Sequence, residues 1–342
     1  MSGRLTAPLR VAGIGSGYFS RFHYEAWQRL DRVELLAVAD LDPIKAAAAG
    51  VEAFSDPRVM LEKHRPDLVD IVTPPHTHLE MIRLAIETGA KAIICQKPFC
   101  GDIGTAQLAT ALAAAAEVPL IVHENFRFQP WYRRIRSEIA AGRLGRLLQL
   151  TFRLRPGDGQ GPTAYIDRQP YFQKMPRFLL HETGVHWIDT FRYLMGKPQA
   201  VYAELRRLNP AIVGEDAGYF IYSYANGARA LFDGNRLLDH AAEDHRRTMG
   251  EFRVEGTDGE LYLRGSGAVL FRARGSSEWQ TLAEPPAAGG FGGDCVAALQ
   301  DHVVRGLLDG APMENTATSY LPNMRIEYAL YKSAETGRKI EL

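Results

Sequence analysis

Residues 9–40 read "LRVAGIGSGYFSRFHYEAWQRLDRVELLAVAD". An apolar run without polar alternation ends in a glycine-rich turn. Phe19, Phe22, Ala26 and Leu30 then recur at helical spacing. "VELLAVAD" is a second apolar run, closed by Asp40. A strand that is apolar on both faces is covered on both faces, and two such strands joined through a helix form a parallel pair.

The same rhythm continues outward. "DPIKAAAA" starts a short helix, with Asp42 as N-cap and Pro43 at the first helical position. "DLVDIVTP" is a strand stopped by prolines, and "HLEMIRLAIETGA" is a helix ending at Gly89. "KAIICQKP", "GTAQLATALAAAAE" and "PLIVHEN" add a strand, a helix and a strand. The pattern predicts an α/β protein that begins with a doubly wound parallel sheet. Such sheets bind ligands at the carboxyl ends of their strands. The unusual residues fall at those ends: "GIGSG", "AD", "TPPHTH", "QKP" and "HEN".

Gly15-Ser16-Gly17-Tyr18-Phe19-Ser20 has the form GxGxxS. One glycine permits the tight turn. The second lets a pyrophosphate approach the backbone at a helix N-terminus, and Ser20 is small enough for close helix–strand packing. Asp40 lies 23 residues beyond Gly17. It can bond ribose hydroxyls and would repel a 2′-phosphate, or it can serve as a helix cap together with Asp42. No arginine follows it directly. The expected cofactor is NAD, with NADP the alternative.

The bulk composition narrows the partners. Forty basic residues balance forty acidic ones in 342 residues, so no net field favours nucleic acid or an anionic membrane. Cys95, Cys100 and Cys295 are too few for a disulfide framework. Cys95 and Cys100 have no second cysteine pair, and the neighbouring pairs His76/His78 and His123/Glu124 have no evident third ligand, so no metal is expected. The N-terminus has no apolar signal core and no window is long enough to span a bilayer, which leads to the expectation of a cytoplasmic protein.

Taken in order, these segments resemble the Gfo/Idh/MocA family of oxidoreductases. "GIGSGYFSRFH" is similar to its dinucleotide turn, with His23 trailing. "DIVTPPHTHLEMIRLAIETGAKAIICQKP" is similar to the segment that leads to its E-K-P signature. "ENFRFQPWYRRIRSEIAAGRLGRLLQL" is similar to its entry into a second domain, and "ETGVHWID" to its D-x-G-x-H-x-x-D motif. The resemblance implies a Rossmann domain over residues 1–123. It also implies a substrate-binding and oligomerisation domain over 124–342, built on a large open, mostly antiparallel sheet. Two departures stand out: Gln96 replaces the signature glutamate, and Glu182 replaces an aspartate.

By resemblance Lys97, Glu182 and His186 line the substrate site. Neutral imidazole can accept an alcohol proton near neutral pH, an ammonium stabilises alkoxide character, and a carboxylate orients a hydroxyl or the histidine. Glu182 and His186 stand at i and i+4, which on an α-helix is one face. The cofactor is expected to meet Gly15, Gly17, Tyr18, Phe19, Asp40, Thr73, Pro74, Pro75, His78, Gln96 and Lys97. Substrate contacts are expected from Asn125, Arg127, Tyr165, Arg168, Arg177 and Glu182, a mix of basic and aromatic groups that suits a sugar, polyol or acidic sugar.

"DAGYFIYSYANGARALFDGNRLLD" reads as a hairpin with Asn226-Gly227 at its turn and apolar residues on both faces. A homodimer or homotetramer formed through the sheet of the second domain is therefore expected. The function expected is an NAD(P)-dependent oxidoreductase acting on a sugar or cyclic polyol. The alternatives are a redox-neutral NAD-dependent glycoside hydrolase and a non-catalytic dinucleotide sensor.

Overall fold

The computed structural model describes residues 5–287 and 290–342. The chain forms two compact units. One runs to Asn125 and takes in Val296–Pro322; the other comprises Phe126–Cys295 and Asn323–Leu342.

In the first unit the elements follow as β1 (Leu9–Ile14), α1 (Ser20–Arg29), β2 (Val33–Ala39), α2 (Pro43–Ala47), β3 (Glu52–Phe54), α3 (Pro57–His64) and β4 (Leu68–Ile71). Next come α4 (His78–Glu87), β5 (Ala92–Gln96), α5 (Ile103–Ala115) and β6 (Leu120–His123). The strands form one sheet in the order β3-β2-β1-β4-β5-β6, every pair parallel. The order reverses between β1 and β4, which makes their carboxyl ends the crevice where such sheets take ligands. β4 and β5 are wholly buried, the polar Asp70 and Gln96 included.

Local chemistry sets the boundaries. The Asp42 side chain accepts from the Ile44 N–H, and Pro43 opens α2 as the sequence predicts. Asp56 and Pro57 do the same for α3. The sequence reading passed over α3 and β3. β3 has three residues, mostly exposed, and so carries no apolar run to read.

The second unit contains α6 (Pro130–Ala140), β7 (Leu147–Leu154), α7 (Val185–Met195), β8 (Ala200–Arg206), β9 (Ala217–Ser223) and β10 (Arg229–Asn235). These are followed by α8 (His245–Thr248), β11 (Gly250–Gly256), β12 (Gly259–Leu263), β13 (Val269–Ala273) and β14 (Gln280–Ala283). The chain ends with α9 (Phe291–Asp309), α10 (Ala317–Thr336) and β15 (Ile340–Glu341). Nine strands pair in the order β14-β13-β12-β11-β7-β10-β9-β8-β15, antiparallel except for β7 with β10. Gly227, at φ +83°, closes the expected hairpin between β9 and β10. No helix among the described residues is long and apolar enough to cross a membrane.

Strand register builds the core of this unit. Phe220 pairs with Phe232, Phe232 with Phe152, and Phe152 with Phe252, which gives a row of four rings across β9, β10, β7 and β11. Trp187 of α7 stacks on Phe152 with centroids 4.1 Å apart. Alternation turns Tyr219 and Ile221 to the opposite, half-buried face. Replacing Phe152 by alanine opens the middle of the row. Urea unfolding of Phe152→Ala should show a loss of about 3–5 kcal/mol, seen as a lower midpoint at unchanged slope.

Candidate active site

In the first unit the glycine turn is held from three sides. Gly15 lies at φ +101°, and a Cβ there would stand 2.8 Å from the Val72 carbonyl, so only glycine fits. The Tyr24 hydroxyl of α1 donates to the Gly15 carbonyl. The Ser20 hydroxyl donates to the Gly17 carbonyl at 2.6 Å, the work done here by the residue in place of the third glycine. A Cβ on Gly17 would meet nothing within 4 Å. One glycine is therefore needed for packing, and the other leaves an open backbone surface of the kind a pyrophosphate requires. Tyr18 and Phe19 flank this turn, half-buried.

Asp40 accepts from the Ser16 N–H at 2.6 Å and from the Asp42 N–H at 2.8 Å. Its carboxylate thus pins the glycine turn to the end of β2, and capping of α2 is left to Asp42. Each oxygen keeps a lone pair for a ribose hydroxyl.

The "TPPHTH" loop is tied to the loop after β5 by one imidazole. His78 Nε2 donates to the Thr73 carbonyl at 2.8 Å, and Nδ1 accepts from the Cys100 N–H at 3.3 Å. Both ring nitrogens are committed to backbone. Burial, chiefly, pushes His78 down to about 4, so the ring is neutral at physiological pH. Pro74 and Pro75 lead into a single 3₁₀ turn at the same strand end.

Gln96 ends β5 with both of its polar atoms bonded. Its nitrogen lies 2.9 Å from His23 Nε2, and its oxygen accepts from the Lys97 N–H at 2.7 Å. His23 Nδ1 lies 2.9 Å from Asp70 Oδ2, which also accepts from Trp27 Nε1 at 2.7 Å. His123 stacks on His23 with centroids 3.9 Å apart. Asn125, just beyond β6, is buried. Among the described residues no group of three or more His, Cys, Asp or Glu could hold a metal ion, and the three cysteines are free and buried.

In the second unit Glu182 lies in a π-helical turn, Leu179–Gly184, that runs directly into α7. The i, i+4 rule of an α-helix does not carry across that junction, so the expected common face of Glu182 and His186 does not follow from their spacing. Such turns are frequent at functional sites. The Thr183 hydroxyl donates to Glu182 Oε2 at 2.7 Å and accepts from Arg236 Nη1 at 2.6 Å. Arg236 is buried, and its Nε and Nη2 hold both oxygens of Asp158. Arg168 reaches the same carboxylate at 3.0 Å, and the Tyr165 hydroxyl reaches it at 3.3 Å. Burial would raise the Asp158 carboxyl, but the guanidinium of Arg236, helped by Arg168, outweighs it and holds the group below its ordinary value. Partial desolvation, followed by the charge of Glu182, pushes the nearby Tyr171 hydroxyl up to about 12.

His186 is buried, its ring parallel to Phe126 at 3.6 Å. Arg127 grips Asp189 with two bonds of 2.8 and 2.6 Å, and Asn323 donates to the same carboxylate. Arg177 packs over the Tyr331 ring and faces Glu335. Within this unit the structure therefore joins Tyr165, Arg168 and Glu182 in one network, and the contacts of Arg127 and Arg177 are with other partners. Sequence reading missed Asp70, Asp158 and Arg236. Asp70 carried a signal, since an acid inside the apolar "LVDIV" must be answered by donors.

Residues 9–124 match the model of an oxidoreductase family with an NAD-binding Rossmann fold, and residues 132–262 match a Gfo/Idh/MocA C-terminal domain. The chain is 31% identical to a D-apiose dehydrogenase of Paraburkholderia graminis, over 96% of this chain and 88% of that one. It is 26% identical to a D-apiose dehydrogenase of Rhizobium rhizogenes over 98% and 97% of the two chains. A crystal structure of an Agrobacterium radiobacter oxidoreductase in complex with NAD+, L-tartaric acid and magnesium superposes with a TM-score of 0.87. It is 24% identical and covers 98% of both chains.

His78 makes the acid limit of the fold testable. Its folded value of about 4 lies below the roughly 6.5 of an unfolded histidine, so on acidification the unfolded chain takes the proton first. The stability tied to neutral His78 is complete above about pH 6.5 and is lost progressively down to about pH 4. Urea unfolding should register a loss of up to roughly 3 kcal/mol across that window, and a smaller loss in His78→Gln.

Proposed function

The chain belongs to the Gfo/Idh/MocA family of NAD-binding oxidoreductases, and from that premise we propose that it oxidises a secondary hydroxyl of a small sugar or polyol. The observation that carries the substrate class is the network ending on Glu182. A carboxylate oriented through Thr183 by a buried guanidinium, with Asp158, Arg168 and Tyr165 behind it, is a hydrogen-bonding surface for a polyhydroxylated molecule. The curated relatives named for D-apiose support the same class.

Gly15, Gly17 and Asp40, with the loop Thr73–Pro75, would hold NAD, which would supply the hydride acceptor. The chain's own groups manage the proton and the charge. Lys97 places an ammonium by the reacting oxygen and stabilises its alkoxide character. His186 accepts the hydroxyl proton on an imidazole nitrogen, with Phe126 fixing the plane of the ring. Glu182 accepts a hydrogen bond from a second hydroxyl and so sets which carbon reacts. Tyr165 and Arg168 support it through Asp158 and contribute to substrate binding, as do Asn125 of the first unit and Arg127 of the second. Asp40 favours NAD over NADP.

We also propose a cytoplasmic homo-oligomer, a dimer or tetramer, assembled through the nine-stranded sheet. The face opposite the phenylalanine row carries Tyr202, Tyr219 and Ile221, half-buried side chains beyond the unit's own core. Light scattering at micromolar concentration should give at least twice the 38.0 kDa chain mass; a monomer overturns the assembly.

The activity is tested by NADH formation across a panel of pentoses, inositols and sugar acids, with NAD and with NADP. Lys97→Ala should lower kcat on the best substrate by about 100-fold or more and leave NAD affinity within a few-fold. Unchanged turnover removes Lys97 from the chemistry.

A further inference from the structure

Gln96 occupies the place of a signature glutamate, and its surroundings fix how its amide must lie. The Lys97 backbone N–H can only donate, so the atom 2.7 Å from it is the amide oxygen. The amide nitrogen then faces His23 Nε2 at 2.9 Å and can only donate, so Nε2 accepts. A neutral imidazole with an accepting Nε2 carries its proton on Nδ1, and Nδ1 faces Asp70 Oδ2 at 2.9 Å. At the far end the Trp27 indole N–H, also an obligate donor, meets that same oxygen at 2.7 Å. Two groups with no choice of direction therefore orient everything between them. Turning the amide over would oppose two donors at Lys97.

We propose that Gln96 is a positioning residue for Lys97, acting through a polarised chain that holds His23 as the neutral Nδ1–H tautomer. The chain is sealed: His23 and Asp70 are fully buried and Gln96 nearly so. His123 stacks on His23 in the same pocket, and burial holds its imidazole well below the ordinary range. A carboxylate at position 96 could only accept. His23 would then need a proton on both nitrogens, and a second negative charge would stand one residue from Lys97. The amide keeps the geometry of the link and leaves Asp70 as the one carboxylate in the chain. Each polar atom of Gln96 makes one bond in this link, which ties the amide to the Lys97 backbone on one side and to His23 on the other.

The role rests on the reading of Lys97 given above, and the test separates the two. Imidazole 15N–1H multiple-bond spectra of 15N-histidine-labelled protein, with His23 assigned by its loss in His23→Gln, should show the Nδ1–H pattern for His23. Gln96→Glu should convert it to a doubly protonated ring. Gln96→Leu should abolish the single-tautomer pattern and lower kcat at least tenfold, with KM for NAD within threefold of wild type.

A wild-type His23 protonated on Nε2 or on both nitrogens overturns the proposal. So does Gln96→Leu with kcat within twofold of wild type, or with only KM for NAD raised. If Gln96→Leu fails to fold, the wild-type spectrum and the Gln96→Glu response decide. If Lys97→Ala keeps full turnover, the positioning role falls with the reading of Lys97, and the wild-type spectrum still reports whether the hydrogen-bond chain was assigned correctly.

Discussion

A carboxylate buried in the middle of a parallel sheet must be answered by donors, and in the first unit Asp70 is that carboxylate. It sits on β4 beside Gly13 of β1, with no exposure to solvent. Burying an unanswered charge costs several kcal/mol. The answer comes from one helix face, since His23 and Trp27 are one turn apart on α1. Two anchors four residues apart fix both the position and the rotation of α1 over the sheet. Tyr24 of the same helix reaches the Gly15 carbonyl and leaves no room for a Cβ on Gly13. The glycine turn that opens α1 is thus oriented, through the helix, by an acid buried in the sheet.

The second unit uses the mirror-image device. Its buried ion is the Arg236 guanidinium just beyond β10, answered by Asp158 from the segment that follows β7. Removing either partner would strand the other, at a cost of roughly 3–5 kcal/mol. The same guanidinium bonds Thr183 inside the π turn, so the loop, the strand and the turn that carries Glu182 are tied at one point. An ion pair here gives little net stability and much geometric definition.

Legibility in the sequence followed the same division. Apolar runs announced β1, β2, β4, β5 and β6, and helical spacing announced α1, α2, α4 and α5, because burial on two faces leaves a continuous signal. β3 left none, since three residues, two of them exposed, need no pattern. Candidate side chains at strand ends could be named because topology places ligands there. What each one bonds to could not. Asp40 offered two roles, and only coordinates show it holding the Ser16 N–H while Asp42 caps α2. His78 read as a ligand contact, and its two nitrogens turn out to join two backbone loops. The π turn was invisible because its sequence, "LLHETG", suits an α-helix equally well. Arg236 lay in a hairpin read only for its turn, and Asp158 in a stretch with no periodicity at all.

In both units the anchored residue and the candidate reacting residue are neighbours in sequence. Gln96 is locked into the buried chain and Lys97 follows it; Thr183 is locked to Arg236 and Glu182 precedes it. At the end of a strand consecutive side chains leave on opposite sides, so one can face the core while the next faces a ligand. Gln96 in this way fixes the backbone at Lys97, whereas Thr183, inside the π turn, bonds the Glu182 carboxylate directly. The arrangement also makes the anchor electrostatically consequential, since its charge state acts at very short range. A glutamine in place of a glutamate at such a position is nearly isosteric, and its whole effect lies in where the protons sit.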